Sequence, residues 1–286
     1  MATKVLVTGA YGQLGSELQE LSKCINGFNF LFHDKDTLDL INFGEVEHFF
    51  EAEKPDFIIN CAAYTAVDKA EEDTGLALLL NSEVPGNLAK LSAKHNSKFI
   101  HISTDYVFNG KAYLPYKETD ETKPESAYGN TKLEGEKKVI STNPDSIIIR
   151  TSWLYSSFGN NFVKTMLRLG KERDLLNVIF DQVGTPTYAK DLAGAILKII
   201  GDGKFVPGVY HYSNEGVCSW YDFAYEIISA ANLNCNVLPI ETKDYPLPAK
   251  RPQYSVLNKS KIKHTFNVEI PHWKDSLNAC LKILNN

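Results

Sequence analysis

The sequence has no long apolar run, no clustered basic charge, no cysteine pairing pattern and no internal repeat. Each absence closes off a class of function. Apolar stretches such as Phe57–Ile59 and Ile147–Ile149 are strand-sized, far below the ~20 residues of a membrane span, so no membrane partner is expected. A net charge of -5 without a Lys/Arg cluster argues against a nucleic-acid surface. Five cysteines (Cys24, Cys61, Cys218, Cys235, Cys280) are odd in number and lack CxxC spacing. They read as thiols of a reducing cytoplasm, and neither a disulfide framework nor a metal site is expected from them. Met1-Ala-Thr-Lys4 runs straight into an apolar segment without a signal-peptide pattern, so a cytoplasmic location is expected.

What is present is an ordinary globular composition, 43% hydrophobic and 23% charged, over 286 residues. That length can bury one large core or two interleaved ones. Lys4-Val-Leu-Val-Thr8 reads as a strand, and Gly9-Ala-Tyr11-Gly12-Gln13-Leu14-Gly15 then opens an amphipathic helix carrying Leu14, Leu18 and Leu21. A glycine-rich turn at that junction lets backbone approach a pyrophosphate, which the unpaired N–H groups and dipole of the helix N-terminus favour. A second strand, Asn29–His33, ends at Asp34-Lys35. An acidic residue there would bind ribose hydroxyls and favour NAD, whereas a lysine would pair with a 2′-phosphate and favour NADP, so the preference stays open. Asp39-Leu40 either touches adenine or, through Asp39, caps a helix.

Further strands are expected at Pro55–Asn60, Ser97–Thr104 and Asp145–Arg150, with a helical region from Glu72 to Asn96 that contains Asn81. Small residues after the third strand, Ala62 and Ala63 before Tyr64, leave room for a cofactor. Ser103 and Thr104 put hydroxyls at the carboxyl end of a central strand, where ligands of open parallel sheets lie. The alternation predicts an α/β fold, a doubly wound parallel sheet of the Rossmann type over residues 1–150. Residues 151–286 read as a smaller mixed α/β substrate lobe with a segment returning to the sheet. Its expected elements are helices at 160–171, 189–201 and 220–231 and strands at 178–181 and 209–213.

Tyr128 and Lys132 lie four apart, one turn from each other on one helix face. With 14 tyrosines and 26 lysines, about one Tyr-x-x-x-Lys arises by chance, and there are two. The Tyr113/Lys117 pair encloses Pro115, which disfavours a helix. Tyr128 to Val139 is instead rich in good helix formers. A phenol titrates near ~10, and a neighbouring ammonium lowers it. Such a phenol can protonate a carbonyl oxygen while hydride reaches the carbon.

The glycines at 9, 12 and 15, Thr104, and Tyr128-x-x-x-Lys132 resemble, in order and spacing, the extended short-chain dehydrogenase/reductase family. Segments at 103–110, 150–155, 181–187, 219–224 and 250–257 are similar to its nucleotide-sugar 4-ketoreductase branch. The resemblance implies that NADPH or NADH delivers hydride to the C4 ketone of a dTDP-linked 6-deoxy-4-hexulose. It implies Tyr128 as proton donor, Lys132 as the cation that lowers its pKa and holds the nicotinamide ribose, and Thr104 as the group that orients the carbonyl. It places Asp105, Tyr106, Val107 and Trp153 around the sugar, and Gln182 and Arg251 at the nucleotide diphosphate, arginine being suited to phosphate. Asp105-Tyr106 stands where sugar-nucleotide dehydratases carry Asp-Glu, so no base for water elimination is expected. Some relatives bind Mg²⁺ at a dimer contact, and Glu17 matches one ligand. The C-terminal Lys282-Ile-Leu-Asn-Asn286 lacks a carboxylate, so a metal is doubted. A monomer or homodimer is expected. Asn258 replaces the family's usual Asp. The competing readings are another 4-ketoreductase and a non-catalytic NADP-binding regulatory relative, against which the intact Thr104, Tyr128 and Lys132 argue.

Overall fold

The computed structural model describes residues 2–284. Met1, Asn285 and Asn286, which entered the signal-peptide and C-terminal carboxylate readings, lie outside them. Strands β1 (Thr3–Thr8), β2 (Phe28–His33), β3 (Phe57–Asn60), β4 (Lys98–Thr104) and β5 (Ile147–Thr151) join a later strand, Gly208–His211. Together they make one six-stranded sheet, ordered (208–211)-β5-β4-β3-β1-β2. Every pairing in it is parallel. The order reverses between β1 and β3, so the carboxyl ends of these two strands bound the ligand crevice of such a sheet.

Side chains alternate across the sheet, and both faces are apolar. Val5, Val7, Ile59, Ile100, Ile147 and Ile149 pack under α1 (Gln13–Ser22) and the Ala189–Gly201 helix. Leu6, Ile58, Phe99 and Ile148 face the other way, onto α2 (Phe43–Glu53) and the rod that runs from 74 to 94. The helix expected over 72–96 is that rod, interrupted by a wide π turn at Leu79–Glu83. Asp39 does not cap α2; Asn42 does, accepting from Glu45 N–H at 3.3 Å.

The second unit has its own core, built from Met166, Leu176, Phe223, Ile227, Trp273 and Leu277. Helices Phe162–Glu172, Trp220–Ala230 and Trp273–Leu284 surround it. A parallel strand pair, Leu175–Ile179 with Asn236–Ile240, forms its edge. Helices Ser260–Phe266 and Trp273–Leu284 were not anticipated from the sequence. Among the described residues no helix is long and apolar enough to cross a membrane.

Candidate active site

The site begins where β1 turns into α1. Gly9 has φ +64°, and a Cβ on it would lie 2.7 Å from the Ala62 nitrogen at the end of β3. Only glycine accepts both the left-handed backbone and that approach. A Cβ on Gly15 would sit 2.4 Å from the Gly9 carbonyl, so the third glycine lets the helix start close to the strand. Gly12 is the N-cap of α1, and among the described residues no side chain caps the helix. Its first-turn N–H groups are therefore free to receive an anion, and the residues present fit a pyrophosphate.

The crevice is a cleft of about 820 Å³. Most expected cofactor residues line it: Gly9 and Tyr11 through Gly15, Asp34, Lys35, Asp39, Leu40, Ala62, Ala63 and Ser103. Two do not. Tyr64 turns its hydroxyl outward to Asp73 at 3.0 Å, while its backbone N–H and carbonyl are both bonded by the Asn81 side chain. Asn81 is buried in the π turn and also donates to Thr131 at 3.1 Å, so it braces the loop after β3 against the Ala127–Thr142 helix. A Cβ on Gly135 would fall 2.0 Å from the Asn81 carbonyl, and glycine there allows this close packing.

Thr104, Tyr128 and Lys132 converge on the same cleft. Ser126 caps the Ala127–Thr142 helix, accepting from Gly129 N–H at 3.2 Å, so Tyr128 sits in its first turn. A Cβ on Gly129 would reach 2.3 Å from the Tyr106 carbonyl, so glycine brings this turn against the segment after β4. Tyr106 and Tyr128 then meet edge to face, with ring centres 5.4 Å apart. Thr104 ends β4; its Oγ1 donates to Asp105 Oδ1 at 3.0 Å and accepts from Tyr106 N–H at 3.2 Å.

Lys132 is 2% exposed, and its Nζ donates to the Ile102 carbonyl at 2.6 Å. Burial pushes the ammonium down to about 8, with the Glu136 carboxylate acting against that shift. The Tyr128 phenol is pushed up to about 12 by burial, against a lowering bond with Thr104. The lowering expected from Lys132 is thus not what the geometry produces. The ammonium is drawn to the Ile102 carbonyl, and desolvation dominates the phenol. A phenol so placed is fully protonated near neutral pH, as a proton donor must be.

The opposite wall is aromatic. Trp153 stacks on Trp220 with ring centres 3.6 Å apart and planes 11° off parallel. Trp153 holds φ +49°, and a Cβ on Gly184 would strike its ring at 2.7 Å. A tryptophan in a left-handed conformation is a backbone outlier, which concentrates at working sites. Asp105 also faces the cleft; burial pushes its carboxyl up to about 6, against the lowering pull of the Ser255 and Thr104 hydroxyls.

Three expected substrate residues lie elsewhere. Val107 is wholly buried among Phe108, Tyr116, Leu133 and Leu257, so its side chain belongs to the core. Gln182 and Arg251 line a separate cavity of about 490 Å³, together with Lys111 and Lys250. Arg251 is held there by a bidentate pair with Asp68, at 2.9 and 2.7 Å. Sequence reasoning missed Asp68, which carries no motif, and it did not read Thr151, Ser152 and Trp220 as site residues although they lie in the segments at 150–155 and 219–224. Among the described residues no group of His, Cys, Asp or Glu is gathered to hold a metal ion. Glu17, which the resemblance offered as one ligand, is 2% exposed and accepts from Ser156 Oγ at 2.6 Å.

Residues 3–286 match a family model described as the RmlD substrate binding domain. A dTDP-4-dehydrorhamnose reductase of Aggregatibacter actinomycetemcomitans is 42% identical over 285 residues, spanning 96% of this chain and 97% of that protein. The solved dTDP-4-dehydrorhamnose reductase of Clostridium acetobutylicum matches with a TM-score of 0.96 at 46% identity, covering 99% of this chain and 100% of that one. One from Bacillus anthracis, solved in complex with NADP, matches at 0.94 and 41%, with the same coverage.

Proposed function

The chain belongs to the RmlD substrate binding domain family, and on that premise we propose that it is an NAD(P)H-dependent dTDP-4-dehydrorhamnose reductase. It reduces the C4 ketone of dTDP-4-dehydro-6-deoxy-L-mannose to the alcohol of dTDP-L-rhamnose, a precursor of surface polysaccharide, in the cytoplasm. The observation that carries this reading is the meeting of Thr104, Tyr128 and Lys132 with the glycine cradle in one cleft.

When bound, the nicotinamide supplies the hydride that C4 receives. The glycine turn and the α1 N-terminus hold the pyrophosphate. Asp34 and Lys35 stand together at the adenosine end, Asp34 favouring a free 2′-hydroxyl and Lys35 a 2′-phosphate. Tyr128 donates its phenolic proton to the C4 oxygen, so carbonyl plus hydride plus proton gives the secondary alcohol and leaves a phenolate that solvent reprotonates. An alkoxide is more basic than a phenolate, so this transfer runs downhill even from a phenol at about 12. Thr104 turns its hydroxyl from Asp105 to the carbonyl oxygen and orients it. Lys132 offsets the charge left on Tyr128. Trp153 and Trp220 cover the sugar, and the Arg251 cavity takes the nucleotide diphosphate.

The test is loss of reduced-nicotinamide absorbance with purified protein, NADPH or NADH, and the keto-sugar made in situ. Sugar-dependent oxidation is expected, and the ratio of rates gives the cofactor preference. Tight cofactor binding without any sugar-dependent oxidation would sink the reading.

A further inference from the structure

Beneath Lys132 lies a chain of buried polar groups that the proposed reduction does not use. Asn60 ends β3, His101 lies in β4, and both are wholly buried. The Asn60 amide nitrogen lies 3.0 Å from His101 Nδ1, and His101 Nε2 lies 3.5 Å from Lys132 Nζ. On its other side Asn60 Oδ1 accepts from Thr8 Oγ1 at 2.7 Å and from Ala62 N–H at 3.2 Å.

These partners assign the hydrogens. A backbone N–H can only donate, so the Ala62 contact makes the facing Asn60 atom the oxygen. The Asn60 atom turned to His101 is then the NH₂ group, and Nδ1 must accept from it. Turning the imidazole over would replace both nitrogen contacts with carbon. A neutral ring that accepts at Nδ1 carries its proton on Nε2, and that N–H points at Lys132. Against an ammonium this is donor facing donor; against a free amine it is donor facing lone pair. The charged group acting on the ring is Lys132, and with burial it keeps the imidazole neutral. The titratable groups acting on Lys132 are Glu136 from its own helix, Cys61 after β3 and His101 from β4.

We propose that Asn60 and His101 are positioning residues for Lys132. The Asn60 amide fixes the Nε2–H form of His101, and that N–H sets how readily the Lys132 ammonium gives up its proton. It thereby sets the alkaline limit of the reduction. The same amide oxygen holds Ala62 against Gly9, so one residue supports both the cofactor cradle and the catalytic cation. The last step, from Lys132 to turnover, rests on the reductase reading; the tautomer does not.

The experiment is ¹⁵N NMR of histidine-labelled protein, with the His101 signals identified by their loss in His101→Phe. Protonated Nε2 and bare Nδ1 are expected across the neutral range; a protonated Nδ1 overturns the proposal. Asn60→Asp should reverse the tautomer. Its carboxylate accepts from Thr8 and Ala62 on one oxygen and from Nδ1–H on the other, leaving the Nε2 lone pair facing the ammonium. Lys132, followed by ¹³Cε-lysine NMR and assigned with Lys132→Met, should then titrate about one unit higher. The alkaline limb of kcat should move with it. A reversed tautomer with Lys132 unmoved refutes the coupling, as does a Lys132 shift without tautomer reversal, which charge alone would produce. Both NMR readouts need no turnover, so a wild type that never oxidises cofactor with sugar would sink the reductase reading while these signals still decide the inference.

Discussion

Replacing Glu136 by Gln should cost about 3–5 kcal/mol of stability and also move the pH range of activity. Glu136 and Arg150 have side chains 2% and 5% exposed. The carboxylate accepts from Arg150 Nε at 2.9 Å, from Nη2 at 2.7 Å and from Ser103 Oγ at 2.5 Å. Glutamine keeps the volume but turns an NH₂ group toward the guanidinium. Arg150 then keeps one amide oxygen, a neutral His211 at 3.5 Å, the Phe108 ring at 5.1 Å and only a longer-range carboxylate, Glu118. None of these is an opposite charge in contact, and the uncompensated cation accounts for the size of the loss. Urea unfolding should show a lower midpoint with an unchanged slope, since the surface exposed on unfolding is the same. A paired Glu136→Met, Arg150→Met variant should recover much of the loss, because a well-packed apolar pair avoids the desolvation cost. The Glu136 carboxylate also favours the Lys132 ammonium. Without it Lys132 loses its proton at lower pH, so the alkaline limb of kcat should fall. A loss below about 1 kcal/mol, or a limb that moves upward, refutes the reasoning.

Tyr128→Phe removes a hydroxyl that neither the Ser126 cap nor the edge contact with Tyr106 requires. Turnover should fall roughly 10²–10⁴-fold while cofactor affinity, read by fluorescence titration, stays near wild type; near-normal turnover would dismiss Tyr128 as proton donor. Gly9→Ala places a Cβ 2.7 Å from the Ala62 nitrogen in a left-handed backbone, so cofactor affinity should drop at least tenfold; calorimetry showing unchanged binding would disprove the cradle. Burial holds the Asp105 carboxyl at about 6, above the ~4 of an unfolded chain. Between these values the folded chain binds the extra proton, so stability falls as pH rises through that window. Asp105→Asn should remove about 3 kcal/mol of that dependence, and thermal melts with the same pH slope in both proteins would refute it.

The glycine spacing announced the cradle because it answers a local demand, a left-handed turn and a close backbone approach. Tyr128-x-x-x-Lys132 was legible because helical periodicity alone puts both on one face. The strands were legible because a parallel sheet covered on both sides requires unbroken apolar runs. Helix Trp273–Leu284 escaped because it sits on the second core through side chains with no motif of their own. Val107 shows the opposite failure: beside two cleft residues in sequence, it turns inward and fills the core.

The sequence by itself determined the sheet type, through the alternation of strands and helices, and it marked the glycine turn and the Tyr128/Lys132 pair as candidates, since those two follow from spacing within short stretches. Only the tertiary structure decided which way Lys132 points, what Asn60 and His101 hold against it, and that Trp220 stacks on Trp153 at the cleft. Those contacts join residues dozens of positions apart, where no periodicity carries information. The protonation of Tyr128 and Lys132 followed for the same reason, because burial is a property of the assembled fold and not of any stretch of chain.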